Sequence, residues 1–156
     1  MIFTLTIASL SALSVRGNKF NVEQLTREGS SYSYKFIDHT VYFNYLDEVR
    51  APDGCSDVSG AIAVAVAGGS TPQCRSLGKN STAKFSLIKQ SFSSPVQGVR
   101  ASYTSSDRGT FVIDVMCSRM QIINMTATSP KNYLVTWSHP AGCPQKSMQK
   151  SFFNPI

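Results

Sequence analysis

Bulky and polar residues alternate along most of this chain. The runs "SYSYKFI" (31–37), "TVYFNYL" (40–46), "AIAVAVA" (61–67), "AKFSLI" (83–88), "GVRASYT" (98–104), "GTFVIDVMC" (109–117), "QIINMTA" (121–127) and "NYLVTW" (132–137) follow a period of two. That is the period of a strand, whose successive side chains leave opposite faces of the pleat. Between the runs lie turn-forming clusters such as "APDG", "GGSTPQ", "GKNS", "SSPVQG", "TSSDRG", "TSPK" and "SHPAG", rich in the residues that accept tight backbone geometry. One helix is predicted, "NVEQLTREG" (21–29), short and closed by Gly29. Roughly eight or nine closely spaced strands make an all-β barrel or sandwich. No repeat, linker or low-complexity tail interrupts the pattern.

Composition narrows this picture. A chain of 156 residues is most simply one domain, long enough to bury about two-thirds of its unfolded surface. It is 42% hydrophobic and only 15% charged, with abundant Ser and Thr, a balance typical of a secreted β-domain. The net charge is +6, but the cations are scattered singly, at Arg16, Lys19, Arg50, Arg75, Lys79, Lys84, Lys89, Arg100 and Arg108. No run interleaves them with aromatics, which argues against nucleic acid as a partner. A basic face for anionic glycans or an acidic protein, and a merely solvated surface, both remain open.

The four cysteines, Cys55, Cys74, Cys117 and Cys143, contain no CxxC pair, and His39 and His139 are the only histidines. Two disulfides are therefore expected rather than a metal site, with three connectivities open. Alternation places Phe111, Ile113, Val115 and Cys117 on one face of their strand, with Val112, Asp114 and Met116 on the other. Tyr133, Val135 and Trp137 likewise share a face before the chain turns through "HPAG" to Cys143. A Cys117–Cys143 bond would tie the end of one strand to the turn closing the next. It would close a loop of about 25 residues, worth roughly 3 kcal/mol in the chain-entropy account. A Cys55–Cys74 bond would brace the turns around "AIAVAVA".

The first 17 residues, "MIFTLTIASLSALSVRG", are apolar and end in small residues without a basic start. They read either as a secretory leader or as an N-terminal strand, with residues 18–156 forming the single domain. Neither they nor "AIAVAVAGG" (61–69) has the length and apolarity to span a bilayer. Asn80-Ser-Thr and Asn124-Met-Thr are acceptor triplets for N-glycosylation, expected on loops. With the leader reading and the paired thiols, they favour the secretory lumen, lysosomes or endosomes, or the cell exterior as the expected location.

The order of the segments carries a resemblance. Arg108 precedes a strand ending in Cys117, and a late strand reads Tyr133-x-Val135-x-Trp137 before "HPAGCP". Upstream stand "VYFNYLDEV", "GCSDVSGAIAVAV", "CRSLG" and "GVRASYTSSD". Together these resemble the mannose 6-phosphate receptor homology (MRH) domains, over residues 32–145 and most clearly over 98–145. The resemblance implies a flattened, disulfide-braced β-barrel or sandwich of two antiparallel sheets. It also implies a lectin pocket for mannose-type sugars built from Gln, Arg, Glu and Tyr.

Carried over residue by residue, Arg108 matches the pocket Arg, one position farther from the cysteine than usual, and Tyr133 matches the pocket Tyr. An Arg fork can donate to two sugar hydroxyls at once. The Glu position falls in "QIINMTATSP", which has no carboxylate. The Gln position falls near "AIAVAVAGG", which has no amide; Gln73 is nearby but off that strand. Lys131 replaces a family cysteine, and its partner in "YTSSD" is absent too. With half the pocket missing, each remaining contact would contribute about 1–3 kcal/mol, too little for useful sugar affinity.

No catalytic constellation emerges. Asp38-His39 lacks a nucleophile, and His139 sits in a turn. Asp47, Glu48, Asp53 and Asp57 fit no calcium-loop spacing. The expectation is a non-enzymatic domain without metal or cofactor, binding proteins or glycoproteins with a degenerate mannose pocket. A working lectin for mannose-type N-glycans, phosphorylated ones included, is the alternative, and a structural extracellular β-subunit the third.

Overall fold

The computed structural model describes residues 13–50 and 52–145. Strands β1 (Leu13–Val15) and β2 (Asn18–Phe20) form a hairpin. Its two turn residues, Arg16 and Gly17, both have positive φ, 49° and 82°, the geometry that matches strand twist in a two-residue turn. Of residues 1–17, read as a leader or an N-terminal strand, 1–12 lie outside the described residues and 13–17 form β1 and the turn after it.

The helix expected over 21–29 is instead a single 3-10 turn, Glu23–Leu25. Only Val22 and Leu25 are buried there, and so short a segment cannot repay helix nucleation. The chain is already extended at Thr26, whose hydroxyl donates to Tyr45 O at 2.7 Å.

Two larger sheets follow. The first, all antiparallel, has the order β3 (Tyr32–Lys35), β4 (His39–Phe43), β5 (Ala61–Ala67), β6 (Gln73–Lys79). The second comprises β7 (Lys84–Ile88), β8 (Gly98–Thr104), β9 (Thr110–Cys117), β10 (Ile122–Ser129) and β11 (Asn132–His139), in the order β10-β11-β9-β8-β7. The fold is thus the two-sheet, all-β, disulfide-braced form, with one parallel pair, β9 with β11, inside the second sheet.

The sheets face each other across one core. Val41, Phe43, Ile62 and Leu77 meet Val99, Tyr103, Phe111, Ile113, Val135 and Trp137. Trp137 packs edge-on to Tyr32 at 4.8 Å and Phe43 lies 5.9 Å from Phe111, arrangements that add about 0.5–1.5 kcal/mol per pair beyond burial. At one side of the sandwich Tyr34 of β3 donates to Asn124 Oδ1 of β10 at 3.2 Å. At the other, the turn Asn80–Thr82 carries β6 into β7. β5 is also covered from outside, where Val49, Cys55 and Val58 pack on Ala61 and Val64.

The parallel pair explains the second disulfide. Residues 118–121 cross the end of β11 to start β10, and β11 returns beside β9 with His139 opposite Cys117. The turn Pro140–Gly142 then folds back over β9, and a Cβ on Gly142 would lie only 2.5 Å from Val115 O. Cys143 bonds Cys117 with a Cα separation of 4.3 Å, and Cys55 bonds Cys74 at 5.6 Å.

Candidate functional site

An open cleft of about 620 Å³ lies where the β3–β4 turn, the adjoining ends of β5 and β6, and the β10–β11 turn converge. Its apolar surface is made of small groups, Ala65, Ala67, Ala127 and Pro130. Asp38 and His39 line one part, Gln73 and Arg75 another, and Ser129 and Tyr133 a third.

Tyr133 is almost fully buried, yet its hydroxyl reaches His39 Nε2 at 2.9 Å. His39 Nδ1 lies 2.6 Å from Asp38 Oδ1. The imidazole is also held flat against Phe36, ring centroids 4.8 Å apart and planes 9° from parallel. The His39 hydrogen bond is the first cause holding the Asp38 carboxyl below its ordinary pKa, so Asp38 is ionised at neutral pH. An ionised Asp38 accepts the Nδ1 proton and leaves Nε2 as acceptor, so the Tyr133 O–H donates to His39. The tyrosine's O–H proton is therefore committed to a strut between the two sheets.

Arg108 occupies a different place. It is exposed in the β8–β9 turn, with φ of 69° and its backbone N–H donating to Ser105 O at 3.1 Å. A left-handed conformation at a residue with a Cβ costs roughly 1–2 kcal/mol. Hydrogen bonds hold the turn against that cost: the Ser105 hydroxyl and Gly109 N–H both donate to Asp107. These bonds, the Ser105 one first, lower the Asp107 pKa, with Lys131 and Arg75 adding Coulomb attraction. Lys131 Nζ also donates to Asp107 O at 3.3 Å, joining this turn to the β10–β11 turn. Arg108 is thus near the cleft's end of the sandwich but does not line it.

Gln73 was set aside by sequence because it lies off the "AIAVAVA" run, and Arg75 was read only as one of the scattered cations. The signal lay in register: β6 pairs Ala67 with Gln73 and Ala65 with Arg75. Those pairs put both side chains beside the cleft that Ala65 and Ala67 line. The acceptor triplets separate as well. Asn80 is half-buried at the start of a 3-10 turn, whereas Asn124 lies within β10 rather than on a loop, exposed at the sheet edge. Among the described residues, no three His, Cys, Asp or Glu side chains are grouped as a metal site would require.

The geometry defines a class: a disulfide-braced sandwich of a four- and a five-stranded sheet with an open cleft at one end. No protein-family model and no curated protein matches the sequence. Among solved structures the chain is similar to chicken IGF2R domain 11, with a TM-score of 0.60 and 15% identity, over 85% of this chain and 90% of that one. That neighbour is an MRH domain, and at this identity the likeness is one of fold: the chain has the MRH β-fold.

Proposed function

We propose that this protein is a non-catalytic binding and assembly module of the secretory lumen, the endosomal and lysosomal system or the extracellular space, with a degenerate mannose pocket. The observation carrying this reading is the state of the two residues that match the family pocket. Tyr133 lines the cleft but its hydroxyl is bonded to His39, and Arg108 stands outside the lining. With its proton held by His39, the Tyr133 hydroxyl could offer a sugar only an acceptor lone pair, one bond with a net gain of about 0.5–1.5 kcal/mol. Its partners are proteins or glycoproteins that meet its surfaces and strand edges.

A working lectin is the second reading, favoured by one observation: Gln73 and Arg75 supply an amide and a guanidinium to the same cleft as Tyr133. A glycan array probed with the folded, disulfide-intact protein beside its Arg75→Ala and Arg108→Ala variants separates the two. Silence across mannose-terminated glycans is the expected result. Binding that disappears with Arg75→Ala or with Arg108→Ala would replace the degenerate pocket with a functional one.

A further inference from the structure

Among the described residues, four strands form the edges of the two main sheets: β3, β6, β7 and β10. Three carry cations, Lys35 in β3, Arg75 and Lys79 in β6, and Lys84 in β7. Such charges guard an edge, because its unpaired backbone groups otherwise invite another strand. β10 has none. The whole stretch 120–130, "MQIINMTATSP", lacks a charged residue in a chain of net charge +6. Met120 and Ile122 are 62% and 51% exposed there. An uncharged, apolar, strand-forming segment on an edge is an association site unless something covers it.

The sequon Asn124-Met125-Thr126 sits in the middle of this strand. Asn124 is exposed, and its Oδ1 accepts the Tyr34 hydroxyl at 3.2 Å, while its Nδ2 has no partner among the described residues. The other sequon is built into the fold instead. The Thr82 hydroxyl donates to Lys79 O at 2.7 Å and accepts Thr104 N–H at 2.8 Å, beside a half-buried Asn80.

We propose that Asn124 carries an N-linked glycan that guards the β10 edge against pairing with β10 of a second copy. The second copy is the occupant because two positively charged molecules meeting through β3, β6 or β7 bring like charges together. Two β10 edges meet without that repulsion, and a two-fold axis pairs identical strands antiparallel. In the modification, Nδ2 bonds the anomeric carbon of an oligosaccharide carried on a polyprenyl diphosphate. The carbon–oxygen bond to the diphosphate breaks, the diphosphate leaves with the electron pair, and the amide gives up one proton. The attached sugar is bulky and hydrated, and it occupies the space a second strand would need. The proposal rests on the secretory placement above and is independent of the sugar-pocket reading, which the array tests alone.

The test is secretion of the full chain from a eukaryotic host, glycopeptide mapping, and sedimentation velocity at matched concentrations. Thr126→Ala abolishes the sequon yet keeps the Tyr34–Asn124 bond, and Asn124→Gln abolishes it with Thr126 in place. Near-UV circular dichroism and disulfide mapping verify that both fold. A wild-type chain glycosylated at Asn124 and monomeric is expected, with both variants shifting toward twice the monomer mass. Adding Ile122→Lys to Thr126→Ala returns the monomer, and Asn80→Gln stays monomeric throughout. An unmodified Asn124 overturns the proposal. So do variants that remain monomeric, association that Ile122→Lys does not reverse, or an Asn80→Gln chain that associates as strongly.

Discussion

His139 shows how a single side chain can tie stability to pH. It ends β11, is buried, and its Nδ1 accepts the Ala141 N–H at 2.9 Å, capping the Pro140–Gly142 turn. Burial lowers its pKa from the ordinary 6.5. The unfolded chain therefore takes up a proton in a pH range where the folded chain stays neutral. Folded stability is complete above about pH 6.5 and falls as the pH drops through the lowered folded value. Protonation also removes the acceptor that holds the turn. Urea midpoints measured between neutral pH and pH 5 are expected to fall more steeply for the wild type than for His139→Asn. Parallel pH profiles would show that His139 does not carry this dependence. Asp38 slopes in the same direction at lower pH, because its lowered pKa stabilises the fold only while the carboxylate is ionised.

At the scale of elements, the arrangement of β9, β10 and β11 governs the C-terminal half. β11 inserts between β9 and β10, so the ends of β9 and β11 lie side by side. Gly142 permits the close return, since a Cβ there would meet Val115 O. The Cys117–Cys143 bond then spans 26 residues containing the β10–β11 hairpin. Replacing both cysteines by serine is expected to cost about 3 kcal/mol, read as a lower denaturant midpoint. An unchanged midpoint would mean that the packing of Trp137 and Val135 alone holds the hairpin. The Cys55–Cys74 bond acts elsewhere, holding the loop that covers the outer face of β5.

For the whole molecule, two polar ties span the sheets near the cleft side, His39 to Tyr133 and Tyr34 to Asn124. The Tyr133 strut contributes to stability. Tyr133→Phe keeps the packing against Phe111 and removes the hydroxyl, and is expected to lower stability by about 1 kcal/mol. The measurement is a urea titration in which the midpoint shifts and the slope does not. A variant as stable as the wild type would show that the His39–Tyr133 bond is not a strut.

Much of this architecture was legible in the chain. Period-two runs marked β3, β4, β5 and β7 to β11, because alternation is a local consequence of the pleat. Strand β6 was missed because "QCRSLGK" has one large apolar residue, Leu77, and little alternation to read. The 21–29 helix failed because propensity without a packing face does not hold nine residues. The identity of eight strands, the cysteine count and the uncharged stretch around Asn124 were thus determined by the sequence. The tertiary structure alone decided which cysteines pair, that Asn124 faces out from an edge, that Arg108 stands outside the cleft, and that Gln73 and Arg75 join Tyr133 there. Those outcomes depend on register and strand order, which are set by contacts between residues far apart in the chain and leave no local periodicity behind.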